Sequence, residues 1–211
     1  MIAALSPRSG GRGQAMVEFA IVLPGFLLLI LGMLEFGFLF SHNLTLEYAT
    51  REGARTGAAL SNGGSLLQSC GVAVPDPDPY IVEAVERVLT SPGSPVDING
   101  VSQIKIFKAN PTTGQPVAGF INTWTNTGAN SYTAPDGQKL NFSPPGSQAW
   151  PACSRLNSPP PPTGPDSIGV SLSYSYTFVT PLSAVVGFFG SAGPASLPIT
   201  DRTVMALNPT K

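Results

Sequence analysis

The sequence predicts an α+β protein, in which a long N-terminal transmembrane helix leads into a small domain with a short helix and an antiparallel sheet of about three strands. Of the 22 prolines, only Pro7 and Pro24 lie in the first 60 residues, so this part of the chain is free to form one long helix. Residues 19–34 are sixteen apolar residues without a charge, which is typical of a membrane span. Residues 168–178 alternate strictly between large apolar and small side chains, the period of a strand with one buried and one wet face.

Charged residues are scarce, and this limits the function classes. They make up 11% of the chain, and 11 basic against 12 acidic residues give a net charge of −1. Such a balance excludes the basic surface of a nucleic-acid-binding protein. One histidine and two cysteines leave little material for a metal site, and no nucleophile elbow or phosphate loop is present. We therefore expect no enzymatic activity, no catalytic residues, no cofactor, no metal and no small-molecule substrate.

The apolar run is long enough to cross a membrane only if it continues past Glu35. Sixteen helical residues cover about 24 Å of a hydrocarbon core of about 30 Å. Continuation to Phe40 gives about 22 residues and roughly 33 Å. Glu35 then lies either near the outer interface or within the membrane. A cleaved signal peptide would have a shorter run and a small-residue cleavage site, and a soluble core helix would show a polar face, so a single span is favoured.

The flanking charges predict the orientation. Arg8 and Arg12 precede the span, whereas the residues beyond it are mixed in sign. The positive-inside rule then places the N-terminus in the cytoplasm and residues 61–211 outside it, as an extracytoplasmic α+β domain. Cys70 and Cys153 would lie in an oxidising compartment, where a disulfide between them is the expected state and two unpaired thiols are the alternative.

The junction before the span combines a basic leader with an acidic residue. Residues 1–13 form a basic, glycine-rich leader that ends at Gly13. Cleavage after Gly13 would make Gln14 the first residue and Glu18 the fifth. A carboxylate at the edge of an apolar helix is costly unless it finds a cation. The new α-amino group of one subunit could neutralise Glu18 of a neighbour, with Phe19 beside it in the packing surface.

These features resemble one known family. The matching stretches are GRGQAMVEFA at residues 11–20, Leu23-Pro24, LEFG at residues 34–37 and ATREGAR at residues 49–55. Together they are similar to the TadE-like domain of minor pilins, or pseudopilins, from the tight adherence (Tad/Flp) pilus assembly system. We assign residues 14–60 to that domain, and the helix motif residues that the resemblance implies are Pro24, Glu35, Arg51, Glu52, Gly53 and Arg55.

The resemblance also implies a function and partners. A prepilin peptidase would cleave between Gly13 and Gln14, and the mature subunit would act in pilus assembly without catalysis. Its partners would be the membrane, other pilins and the proteins of the assembly platform. It would reside in the bacterial inner membrane or become incorporated in a pilus. The alternative is a single-span envelope protein whose exterior domain binds something unrelated to pili.

The helix is predicted to continue to about residue 60 because residues 41–59 lack proline. Glu47 and Arg51 are four residues apart, a spacing that favours a helix. Small residues recur every fourth position at 49, 53 and 57, which either lets another element approach closely or weakens the helix before its end. His42, the single histidine, is expected to be solvated at the membrane surface.

The exterior domain has weaker signals. Asp78 and Pro79 predict a helix start with Asp78 as the N-cap. Residues 101–108 and 196–207 have strand character, the latter at a sheet edge because of Pro198. Residues 109–166 are predicted to be a long irregular insertion, in which Trp124 and Trp150 either contact a partner or pack onto the sheet.

Overall fold

The computed structural model describes residues 11–60, 76–156, 164–182 and 196–207. The chain forms two compact units. The first contains Met1–Leu39 and Phe178–Ala195, and the second contains Phe40–Thr177 and Ser196–Lys211. Most of the predicted leader, residues 1–10, lies outside the described residues.

One helix, α1, contributes to both units. It extends over Gly11–Leu60 and contains Pro24 without ending there. Its N-terminal part, up to Leu39, belongs to the first unit and the remainder to the second. The continuous helix follows from a sequence that has one proline in 50 residues, and the long predicted helix is therefore confirmed.

A short amphipathic helix, α2, spans Asp78–Leu89 and belongs to the second unit. It buries its apolar face through Ile81, Val82, Val85 and Leu89. The prediction that Asp78 is the N-cap is wrong, because Pro77 occupies that position and makes no side-chain cap. Asp78 instead begins the helix with a fully buried side chain, while Asp76 accepts a hydrogen bond from the Asp78 backbone N–H at 3.1 Å.

The second unit contains an antiparallel sheet. Its strands in chain order are β1 (Val101–Ala109), β2 (Pro116–Asn126), β5 (Phe142–Ser143), β6 (Ser167–Thr177) and β7 (Ser196–Ala206). Two further strands, β3 (Tyr132–Thr133) and β4 (Lys139–Leu140), form a separate hairpin. The spatial order is β5-β2-β1-β6-β7, so β7 lies at an edge, as Pro198 predicts.

The sheet has five strands rather than the predicted three, and the irregular insertion predicted for residues 109–166 is the reason. This segment supplies β2 and β5. The buried positions of β2 are Asn122 and Trp124, whereas residues 118–120 are exposed, and Gly119 has a φ of 82°. An inward-facing asparagine, three residues after a glycine in the left-handed region, hides the apolar alternation that marks a strand.

The C-terminal part of α1 packs closely against α2 and the sheet. A Cβ built on Gly53 would lie 2.6 Å from Val85 Cγ2 in α2 and 3.3 Å from Val170 Cγ1 in β6. At Gly57 the nearest atom would be Ile168 Cδ1, at 2.6 Å. The small residues therefore allow close approach, and of the two interpretations of their spacing the packing one is correct.

Three side chains that were candidates for surface positions lie in the core. His42 is 7% exposed, with its ring centroid 5.9 Å from that of Tyr174 and 5.0 Å from that of Tyr176. The prediction of a solvated histidine is wrong because these tyrosines of β6 cover it. Trp124 and Trp150 are fully buried, which supports their packing role.

β6 is buried on both of its faces near its N-terminal end. Gly169 pairs with Phe107 across β1 and β6, and a Cβ at Gly169 would lie 2.3 Å from two atoms of the Phe107 ring. Phe107 is fully buried. The strand therefore buries both faces at this end, although its sequence alternation predicted a wet face.

Candidate functional site

The N-terminal part of α1 exposes a continuous apolar surface. Its most apolar 18-residue window has a mean hydropathy of 2.4, and none of that window is buried. The side chains that are more than half exposed there include Met16, Val17, Phe19, Ile21, Val22, Phe26, Leu29, Met33, Leu34 and Phe36. Among the described residues, α1 is the one helix long and apolar enough to cross a membrane. An apolar surface of this size needs a lipid or protein partner.

Glu18 lies at the start of this surface. Gln14 Nε2 donates a hydrogen bond of 2.9 Å to Glu18 Oε1, one helical turn away. Gly13, Gln14, Glu18 and Phe19 are all exposed, and a Cβ at Gly13 would have no neighbour within 4 Å. The structure therefore places the expected cleavage position and the expected charge-neutralising carboxylate on open surface, within two helical turns of each other.

Glu35 has a different environment. It is 4% exposed, and its carboxylate accepts hydrogen bonds from residues that follow β6. Val179 N–H donates to Oε1 at 3.1 Å, and Thr180 N–H donates to Oε2 at 2.8 Å. The Thr180 hydroxyl donates to the same oxygen at 2.5 Å. Glu35 and these donors all belong to the first unit.

The motif at residues 49–55 divides between core and surface. Gly53 is in the core, whereas Arg51 and Arg55 are exposed. Arg51 pairs with Glu47, and Glu52 lies 4.0 Å from Arg55 and 3.8 Å from Arg87 of α2. Exposed pairs of this kind contribute about 0–1 kcal/mol each, so the packing of Gly53 is the stronger structural constraint.

A buried polar cluster, which no sequence pattern predicted, is formed by Asp78, Asn122, Trp150 and Arg155. Arg155 Nη2 donates to Asp78 Oδ1 at 2.6 Å and to the Trp150 carbonyl oxygen at 3.0 Å. Asn122 Nδ2 donates to Asp78 Oδ2 at 2.7 Å, and Asn122 Oδ1 accepts from Trp150 N–H at 2.9 Å. The guanidinium carbon lies 4.7 Å from the centre of the Trp150 ring. Desolvation raises the pKa of Asp78, and the positive charge of Arg155 opposes that rise.

The buried polar cluster ties α2, β2 and the segment around Trp150 together. Asp78 and Arg155 are both fully buried, so no reactant reaches the carboxylate from solvent. No sequence signal marked the pair, because 77 residues separate its members. Within the described residues, Arg155 Nε and Nη1 have no hydrogen-bond partner, so the contacts of Nη2 are what tie the guanidinium to this cluster. Removing one member of a buried pair leaves the other charge buried without its counter-ion, which is strongly destabilising.

Glu86 joins α2 to the segment before β5. Its carboxylate accepts a hydrogen bond of 2.8 Å from the Asn141 backbone N–H. Burial raises the pKa of Glu86 to about 7, and the hydrogen bonds from the backbone of Asn141 and Phe142 oppose that rise. Within the described parts of the chain, no group of His, Cys, Asp or Glu residues is arranged to hold a metal ion.

Cys153 is disulfide-bonded. Cys70, its candidate partner, lies outside the described residues. The pairing of the two stays a prediction.

Comparison with protein families identifies the N-terminal helix. Residues 13–55 match the family model described as TadE-like protein. This part of α1 is therefore similar to the TadE-like family, and we refer to residues 13–55 as the TadE-like domain. The match begins at the expected cleavage position, ends at Arg55 and covers about a fifth of the chain. It confirms the resemblance and supports a function related to the Tad pilus, together with association with a membrane.

No curated protein and no solved structure matches the chain. The match over residues 13–55 is therefore the similarity to a known family that these comparisons give, and the sheet, which lies beyond residue 55, is described by its own geometry.

Proposed function

We propose that this protein is a non-catalytic minor pilin or pseudopilin of a Tad/Flp pilus assembly system. The observation that carries the proposal is the position of Glu18 within the TadE-like domain. It is an exposed carboxylate at the start of an exposed apolar helix, four residues after Gln14. The helix anchors the subunit in the inner membrane, with its N-terminus in the cytoplasm and the sheet outside.

The energetic argument concerns the charge of Glu18. An ionised side chain costs about 2.5–3.5 kcal/mol at the centre of a membrane-spanning helix on insertion scales, and this is an upper bound for a carboxylate at the edge of the core. Gln14 gives Glu18 one hydrogen bond but no positive charge. Cleavage after Gly13 creates an α-amino group, and the amino group of a neighbouring subunit supplies the missing cation. Assembly in that register therefore stabilises the carboxylate.

The partners follow from the same segment. A prepilin peptidase needs an accessible backbone at Gly13, and the exposed surface around that residue supports access. Other pilins and the assembly platform would cover the apolar face that the N-terminal part of α1 exposes. Lipid covers this face before assembly.

Processing is tested by N-terminal sequencing of the protein purified from cells with and without a prepilin peptidase. The mature chain should begin at Gln14 when the peptidase is present and retain residues 1–13 when it is absent. A chain that keeps its leader in the presence of an active peptidase would contradict the proposal.

Charge neutralisation is tested by Glu18→Gln, with Glu47→Gln as the control, a partly exposed carboxylate of the same helix that pairs with Arg51. Glu18→Gln should abolish pilus assembly and surface adhesion while the protein remains in the membrane fraction. Glu47→Gln should assemble like the parent. If both variants assemble normally, Glu18 does not act in assembly, and the alternative of an envelope protein unrelated to pili gains support.

A further inference from the structure

The contact between Glu35 and the residues after β6 brings a second part of the chain to the membrane-spanning helix. Both carboxylate oxygens of Glu35 are occupied by donors of Val179 and Thr180. These donors are backbone N–H groups and one hydroxyl, and none of them is a cation. Because an unsatisfied carboxylate in a lipid environment is costly, this contact is a specific means of holding the segment at the helix.

The position of Glu35 along α1 sets the depth of that contact. Glu35 follows Glu18 by seventeen residues, which corresponds to about 25 Å along a helix axis. The hydrocarbon core is about 30 Å thick. With Glu18 at the inner edge of the core, Glu35 and the backbone of Val179 and Thr180 lie close to its outer edge.

The side chains around the contact are apolar and exposed. Val179 is 61% exposed, although its backbone N–H is bound to Glu35. Met33 and Leu34, just before Glu35 on α1, are 68% and 52% exposed. The sequence contains no charged residue from position 167 to position 200, so nothing in the covalent neighbourhood of Val179 opposes contact with lipid. The backbone N–H groups of Val179 and Thr180, which would be unsatisfied in lipid, are already bound by Glu35, which removes part of the cost of placing this segment there.

We propose that residues 179–182 form a second membrane contact, in which Val179 inserts into the outer leaflet of the bilayer beside α1 and Glu35 holds the segment in place. The partner is the lipid bilayer. Glu35 acts as a positioning residue, because it orders the backbone of the inserted segment. This inference rests on the membrane span that is part of the proposed function, but not on pilus assembly.

The test uses tryptophan as a probe in the full chain, reconstituted in phosphatidylcholine and phosphatidylglycerol vesicles. Some vesicles contain phosphatidylcholine brominated near the headgroup end of its chains, which quenches adjacent tryptophan. Trp124 and Trp150 are fully buried, so the parent protein gives the background. Val179→Trp is compared with Met33→Trp on the span and with Phe120→Trp, an exposed position of β2.

The expected result is a loss of the added fluorescence of Val179→Trp similar to that of Met33→Trp, with no loss for Phe120→Trp. Adding Glu35→Leu should reduce the quenching of Val179→Trp and shift its emission to the red, while Met33→Trp stays quenched. The milder Thr180→Val, which removes the hydroxyl donor to Glu35, should give a smaller reduction in the same direction.

The outcomes separate this inference from the proposed function. Quenching of Met33→Trp without quenching of Val179→Trp would overturn the second contact and leave the span intact. Absence of quenching at both positions would overturn the span itself. A tryptophan at position 179 that is shielded from brominated lipid and from aqueous iodide would show that protein, and not lipid, covers the segment, which also overturns the proposal.

Discussion

Replacing Gly53 with alanine is expected to destabilise the second unit, although the same change stabilises an ordinary helix. Alanine is favoured over glycine in a helix interior by about 1 kcal/mol. At Gly53 the new Cβ would lie 2.6 Å from Val85 Cγ2 and 3.3 Å from Val170 Cγ1. Both neighbours are β-branched and therefore stiff about χ1. Overpacking costs about 1–3 kcal/mol, and the helix preference for alanine offsets about 1 kcal/mol of this, so the expected net loss of unfolding free energy is up to about 2 kcal/mol.

Two other glycines of the same helix serve as comparisons, because a Cβ would meet different surroundings at each. At Gly57 the new Cβ would meet Ile168 Cδ1 at 2.6 Å and Ile81 Cδ1 at 3.0 Å. These atoms end longer side chains that can turn about χ2, so Gly57→Ala should cost less than Gly53→Ala. A Cβ at Gly37 would have no neighbour within 4 Å, and Gly37→Ala should cause no loss.

The measurement is urea unfolding of the purified full chain in detergent micelles. The fluorescence of Trp124 and Trp150, both fully buried, reports the second unit. Adding Val85→Ala removes the nearest clashing atom, and the double variant should be more stable than additivity predicts by about 1 kcal/mol. A Gly53→Ala variant as stable as Gly37→Ala, or a fully additive double variant, would refute the packing argument.

Three further changes probe the second unit, each followed by urea unfolding. Arg155→Met leaves the Asp78 carboxylate buried without its cation and should lower the unfolding free energy by about 3–5 kcal/mol. Adding Asp78→Leu should recover part of this loss. A lack of recovery would contradict the ion-pair argument. Because burial raises the pKa of Glu86 from 4.5 to about 7, the folded state binds more protons than the unfolded state between these values. The unfolding free energy should therefore fall by about 1–2 kcal/mol as the pH rises through this window, after discounting for partial solvation, and Glu86→Gln should remove that slope. Gly169→Ala should lower the unfolding free energy by about 1–3 kcal/mol because its Cβ would overlap the Phe107 ring. Adding Phe107→Leu should recover part of this loss, and a lack of recovery would contradict the overlap argument.

The sequence predicted those elements whose physical cause is local. The scarcity of proline and the uncharged run predicted α1, and alternation over residues 168–178 predicted β6. Pro198 predicted the edge position of β7, because proline removes a donor that an inner strand requires. The TadE-like domain was recognisable because its distinctive residues lie within one continuous helix.

The features that sequence analysis missed depend on partners that are remote in the chain. Asn122 is inward-facing in β2 because it binds Asp78 and Trp150, which are 44 and 28 residues away. His42 is buried by tyrosines from β6, and Glu35 is bound by Val179, 144 residues further on. A local pattern contains no information on such contacts, so these positions were interpreted by the average behaviour of their residue types.

The TadE-like domain ends inside a folded structure, which has a consequence for chimeras of this protein. Side chains of α2 and β6 pack against Gly53 and Gly57, whereas the matched domain stops at Arg55. A foreign domain joined after residue 55 would meet the bare backbone of Gly53 without the side chains of Ile81, Val85 and Val170 that fill the space above it. Transplantation should therefore succeed only when the donor supplies its own complementary surface, or when the junction is moved towards Phe40, where the second unit begins.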